Sequence, residues 1–227
     1  AHTILRSQME ASLGKAAGQT ASVTVSDDLA DVMRATRSGG YDVFIGPAQV
    51  AASALDRGYE LVGANHKSQK YVLVAAPTAT AVGELKGGRL YLPQQDSIYT
   101  YMARGMLNEA GLSFKDLKQV QYEKYPQAGL TALVLGSTDA TVVREDDWAE
   151  WSAAQPKAAK VLASSQPVPG GFTVVVKKEL PAEMRSRVAQ WFTSASEPAG
   201  LAPATLKPEA AQYKRVAELG LFTPVAL

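Results

Sequence analysis

The sequence predicts an α/β protein of two lobes, each a mostly parallel sheet flanked by helices, with two hinge strands joining them. Three observations predict it. Helix-period and strand-period segments alternate from the start of the chain, which is the grammar of a parallel sheet with covering helices. One unit occurs twice: helix, Gly, Asp, apolar strand, helix N-terminus, once around Arg37–Asp42 and once around Leu135–Asp139. Two apolar strands, 70–76 and 172–177, stand where they join these halves. The expected lobes are residues 1–74 with 170–227, and 75–169.

The first half reads in order as follows. Ile4, Leu5, Met9 and Leu13 recur at helical spacing over 3–17. Val23 and Val25 alternate with polar residues in a short strand. Asp27 or Asp28 caps a helix with Leu29, Val32 and Met33 inward, which stops at Gly39-Gly40. Val43, Phe44 and Ile45 form a strand, and Gly46-Pro47 ends it and opens a helix, because proline suits the first helical position. That junction aims free backbone N–H groups and a positive dipole end beyond the strand tip, where ligands of open α/β sheets sit. Residues 59–64 and 70–76 are further strands. An α/β half normally begins with a strand, and this one begins with a helix. The expectation is therefore that a first strand is removed or is supplied from elsewhere.

After Pro77 the pattern restarts. Arg89 to Pro93 is a strand, and Gln94-Gln-Asp96 is a polar turn before a helix from Ser97 to about Ala110. Phe114 to Tyr122 holds a loop and a weak strand. Pro126 opens a helix with Leu130, Leu133 and Val134 inward. Residues 139–143 are a strand, and Arg144 leads into a helix carrying Trp148 and Trp151. A weak strand at 159–163, a turn at 166–171 and a strand at 172–177 follow. Helices are expected from Pro181 to Ser194 and from Pro208 to about Leu219.

Composition removes several functions. The net charge of +1 gives no basis for binding nucleic acid or an anionic membrane. With no cysteine there is no disulfide, thiol nucleophile or thiolate-bound metal. No apolar run approaches the roughly 18 residues that span a bilayer, and no signal-peptide pattern is present. Neither a metal site nor a cofactor is expected: the two histidines, His2 and His66, form no ligand pair, and no phosphate-loop or dinucleotide motif occurs. No motif supports catalysis, so no catalytic residue is assigned.

In this order and spacing, several segments resemble the phosphate/phosphite/phosphonate-type periplasmic substrate-binding proteins. They are Tyr41 to Ala48, Tyr71 to Val74, Leu85 to Leu90, Leu107 to Leu112, Leu130 to Val143, and Phe172 to Val176 with Leu180-Pro181. The resemblance covers nearly the whole chain except the family's opening strand. It implies two lobes closing in venus-flytrap fashion on a small ligand for an ABC importer or a sensor. It also implies anion contacts at the turn before the Ser97 helix, where Ser97 and its N–H favour an oxyanion and Asp96 opposes one. The family's His-bearing turn reads Lys124-Tyr-Pro-Gln127 here, and its acidic pair reads Arg144-Glu-Asp-Asp147. The scaffold is kept while the ligand chemistry changes.

The candidate ligand-binding residues are Gly46, Pro47, Gln49, Gln94, Ser97, Tyr99, Tyr125 and Arg144, each at or next to a strand-to-helix junction. Arg144 suits a bidentate clamp on a carboxylate or phosphate, or equally a surface ion pair with a neighbouring acid. Tyr125 suits a ligand cleft or a half-buried packing position. The leading expectation is a non-enzymatic solute-binding protein, periplasmic or otherwise extracytoplasmic, holding a small polar or anionic ligand between its lobes and working with an ABC permease. It would be a monomer unless another chain supplies the missing strand. The alternatives are the ligand-sensing domain of a membrane receptor or histidine kinase and, behind it, a small enzyme on the same architecture.

Overall fold

A computed structural model of the chain describes residues 3–64, 68–194, 213, 214 and 216. His66 and most of the helix expected after Pro208 lie outside the described residues. The chain divides into two compact units: 3–64 with 169–194, 213 and 214 form the first, and 68–168 with Val216 form the second.

Unit 1 begins with α1 (Thr3–Ala17), α2 (Leu29–Ser38), β1 (Val43–Gly46), α3 (Ala48–Leu55) and β2 (Tyr59–Ala64). The short β3 (Ser68–Gln69) precedes unit 2, which holds β4 (Tyr71–Ala75), β5 (Arg89–Pro93), α4 (Ile98–Glu109), β6 (Gln119–Glu123), α5 (Ala128–Val134), β7 (Ala140–Arg144), α6 (Glu145–Ala154) and β8 (Lys160–Ser164). The short β9 (Val168–Pro169), which pairs with β3, leads back to β10 (Thr173–Lys177) and α7 (Ala182–Ser194) of unit 1. Local chemistry places the ends. Asp28 caps α2 by accepting from the N–H groups of Ala30 and Asp31 at 3.0 and 3.3 Å. Gly39 ends α2 with φ of 68°, a left-handed angle that glycine takes without a Cβ penalty.

The sheets are mixed, which corrects the expectation of mostly parallel pairing. In unit 1 the order is β1-β10-β2 and both neighbours run antiparallel to β10. In unit 2 the order is β6-β5-β7-β4-β8. There β5 pairs parallel with β6 and β7, while β4 runs antiparallel to β7 and β8. The cause is the same in both units. A strand-helix-strand crossover, β1-α3-β2 or β7-α6-β8, leaves a one-strand gap between its parallel strands. A strand from a distant part of the sequence fills that gap in the opposite direction. The repeat seen in the sequence extends to an irregularity: β10 slips against β2 between Val174 and Val175, and β4 slips against β8 between Leu73 and Val74.

Because Tyr71–Ala75 is inside the second sheet, the units divide at 67/68 and 168/169 rather than at 74/75 and 169/170. Met9, Val174, Val176, Val188, Trp191 and Phe192 form the core of unit 1, while Val72, Val74, Leu130, Leu133, Val143 and Ala159 form a core of unit 2. Val134 was expected inward and is 52% exposed, because α5 ends there and the chain turns at Gly136, φ 77°. The strand expected at Val23–Val25 forms no ladder. The Val23 N–H donates instead to the Glu10 carboxylate at 3.0 Å.

Candidate functional site

Four of the sequence-predicted residues gather at one end of the sheet of unit 2. Gln94 follows the tip of β5 and Ser97 is the N-cap of α4, with Tyr99 in its first turn. Arg144 ends β7 and caps α6. Sequence reasoning missed a fifth residue, Tyr71. It begins β4, and antiparallel pairing sets it opposite Arg144. Its ring meets that of Tyr99 edge-on, with centroids 5.2 Å apart. The Tyr71–Arg144 pairing depends on strand register, which no local pattern reports. The only sequence signal was an aromatic residue at the start of an otherwise aliphatic strand.

The N-terminus of α4 is left open by its own serine. The Ser97 hydroxyl donates to the Pro93 carbonyl at 2.7 Å and does not cap the helix, and the Thr100 hydroxyl donates to the Gln94 carbonyl at 3.0 Å. The Ile98 and Tyr99 N–H groups have no acceptor among the described residues. Two donors at the positive end of a twelve-residue helix are therefore left without an acceptor among the described residues, an arrangement that favours an anion.

The N-terminus of α6 is more fully satisfied. The Glu145 N–H donates to the Lys70 carbonyl at 3.0 Å and the Asp147 N–H to the Asp146 carboxylate at 3.1 Å. Asp146 also pairs with Arg144 at 2.8 Å, so the ion pair expected as the alternative for Arg144 is present. One guanidinium edge remains: Arg144 Nε is buried and makes no hydrogen bond.

Burial of the Tyr71 hydroxyl raises its pKa well above the usual tyrosine value, helped by Tyr99 and opposed by Arg144. Tyr99 is pushed up to about 12 by burial first and by Asp147 second. A folded-state pKa above the ordinary 10.0 means that stability is intact below about pH 10 and falls as pH rises toward 12, where the unfolded chain ionises first. Melting temperature followed from pH 9 to 12 is expected to drop less steeply in Tyr99→Phe than in the parent.

In unit 1, Gly46, Pro47 and Gln49 lie together at the tip of β1. Pro47 is the N-cap of α3, and Gln49 is 2% exposed on its first turn. Tyr125 is not gathered into the unit 2 group: it is 62% exposed, with the Lys124 ammonium 5.6 Å from its ring. Among the described residues no group of side chains is arranged to hold a metal ion, and no helix is long and apolar enough to cross a membrane.

Comparison with solved structures shows the fold. XAC2383 from Xanthomonas citri bound to ATP superposes with a TM-score of 0.71 at 12% identity, over 96% of this chain and 90% of that one. PhnD1 from Prochlorococcus marinus in complex with methylphosphonate gives 0.67 at 15% identity, over 97% and 93%. A binding protein component of an ABC phosphonate transporter from Pseudomonas aeruginosa gives 0.58 at 16% identity, over 95% and 73%. No curated protein matches the sequence. The two-lobed α/β fold agrees with the sequence match itself, which runs over residues 5–216. The chain belongs to the phosphonate family of periplasmic substrate-binding proteins of ABC transporters.

Proposed function

We propose that this solute-binding protein takes an oxyanion-bearing small solute at the N-terminus of α4, beside Arg144 and Tyr99, and delivers it to a permease outside the cytoplasm without altering it. One observation carries the reading: the Ile98 and Tyr99 N–H groups are uncapped because Ser97 turns its hydroxyl away. Arg144, at the same end of the sheet, carries a further unpartnered donor in its buried Nε–H. Gln94 borders the turn, and Tyr71 and Tyr99 give it an aromatic wall. In unit 1, Gly46, Pro47 and Gln49 occupy the equivalent strand tip and are proposed ligand contacts there.

Calorimetric titration with phosphate, methylphosphonate, sulfate and small carboxylates tests this. At least one is expected to bind stoichiometrically, to be recovered unchanged, and to lose about tenfold or more in affinity in Arg144→Ala. Ser97→Asp discriminates further. A capping carboxylate occupies the same amides and repels an anion, so binding falls while the helix gains a better cap. Unchanged binding in both variants, or turnover of the bound solute, would sink the reading.

A further inference from the structure

The doubled α/β unit allows the two strand tips to be matched position by position. In unit 2, antiparallel pairing sets Tyr71 opposite Arg144. In unit 1, Thr173 stands opposite Gly46, and the same register carried one residue further sets Phe172 opposite Pro47. Two independent markers support the match. Each central strand slips at the same place, between the third and fourth residues counted from Tyr71 or from Phe172. Asp139 and Asp42 each stand five residues before Arg144 and Pro47.

The matched positions differ in chemistry. Unit 2 has Lys70, Tyr71, Arg144 and Glu145, and unit 1 has Gly171, Phe172, Pro47 and Ala48 in their places. Every side chain able to carry charge at one tip is thus replaced at the other by one that cannot. Pro47 also lacks a main-chain donor, so its position has less to offer an anion than its counterpart at Arg144 has. Burial differs too: Tyr71 is 6% exposed and Phe172 is 41% exposed.

A single phenylalanine exposed elsewhere on a surface would need no account. This one stands at the position that belongs, in the other unit, to the candidate site. Covering its ring with an apolar group removes both surfaces from water, which is favourable, whereas a hydrated oxyanion gains nothing from it.

We propose that Phe172 is a specificity-determining contact of unit 1, taking the apolar part of a solute whose oxyanion is recognised in unit 2. The inference rests on the oxyanion reading above and narrows it. The preferred solute is an organic oxyanion whose substituent is large enough to cover a phenyl ring, rather than an inorganic anion or one that carries only a methyl group.

Calorimetric titration with two graded series tests this: methyl-, butyl- and phenylphosphonate, and acetate with benzoate. Each is titrated into the parent chain, Phe172→Ala, Phe172→Leu and Arg144→Ala. In the parent, phenylphosphonate or benzoate is expected to bind about tenfold or more tighter than its methyl counterpart. Phe172→Ala is expected to erase most of that preference and to leave the methyl compound within about twofold of the parent. Phe172→Leu keeps an apolar side chain at the strand start and guards against a folding defect; it is expected to lose preference for phenyl over butyl. Arg144→Ala is expected to weaken every binding member by a similar factor, which separates the oxyanion contact from the apolar one. Three results overturn the inference and leave the oxyanion reading standing: no preference in the parent, a preference that survives Phe172→Ala, or an equal loss along the series in Phe172→Ala, which marks a structural role. A parent that binds no member of either series overturns both.

Discussion

Phe192→Ala is expected to lower the stability of unit 1 by about 3–5 kcal/mol. The ring is fully buried on α7 among Met9, Val174, Val176, Val188 and Trp191. Truncation removes the transfer energy of the ring and leaves a cavity, and the cost depends on how far the surroundings collapse into it. Here they collapse little. Val174 and Val176 lie on β10, which is held by hydrogen bonds to a strand on each side. The backbone beneath the ring therefore cannot move inward without breaking a ladder. With two units, one melting temperature is not a sound readout, so denaturation should be followed separately in each. The three tryptophans allow this: Trp191 reports on unit 1, and Trp148 and Trp151, with rings 5.6 Å apart, report on unit 2. The Trp191 transition is expected to move and the other to stay. A shift of both together would show that the units unfold as one.

The second large effect is expected from Gly129→Ala, at about 1–3 kcal/mol. Alanine normally favours a helix over glycine, so propensity alone predicts a gain. Packing reverses the sign. A Cβ at Gly129 would lie 2.2 Å from the Thr141 Oγ1, 3.0 Å from its Cβ and 3.2 Å from the Tyr91 ring. Thr141 cannot swing away cheaply, because its buried hydroxyl donates to the Tyr91 carbonyl at 2.9 Å. The fit of α5 over β5 and β7 thus depends on a missing methyl. Thr141→Ala removes the nearest clashing atom, so the double variant is expected to cost clearly less than the sum of the single variants in a denaturation cycle. Additive costs would show that α5 shifts rather than clashes.

Local rules made much of this legible. The spacing of Met9 and Leu13, the capping Asp28, the left-handed Gly39 and the Gly46-Pro47 junction each place an element within a residue or two of where it lies. The doubled α/β unit was visible because its two Asp residues stand just before β1 and β7. Sheet order was not legible, because β10 enters between β1 and β2 from far along the chain, and no local pattern encodes a partner that remote. The same limit hid Tyr71, whose role follows from its register opposite Arg144. Val23 and Val25 carry the alternation of a strand, but a strand also needs a neighbour, and that is a property of the sheet. Tyr125 shows a third limit: proximity to a strand tip says nothing about which way a side chain turns.

The interleaving of the sheets also sets an order of events. The five-stranded sheet of unit 2 lies wholly within residues 68 to 168, one uninterrupted stretch of the chain. Unit 1 is split, and its central strand is Thr173–Lys177. As the polypeptide emerges from N- to C-terminus, the first 64 residues wait without a middle strand until Lys177 has appeared, by which time the later unit has already been able to form. The part of the chain made first is thus completed last, and its folding time is governed by long-range strand pairing rather than by its own helices.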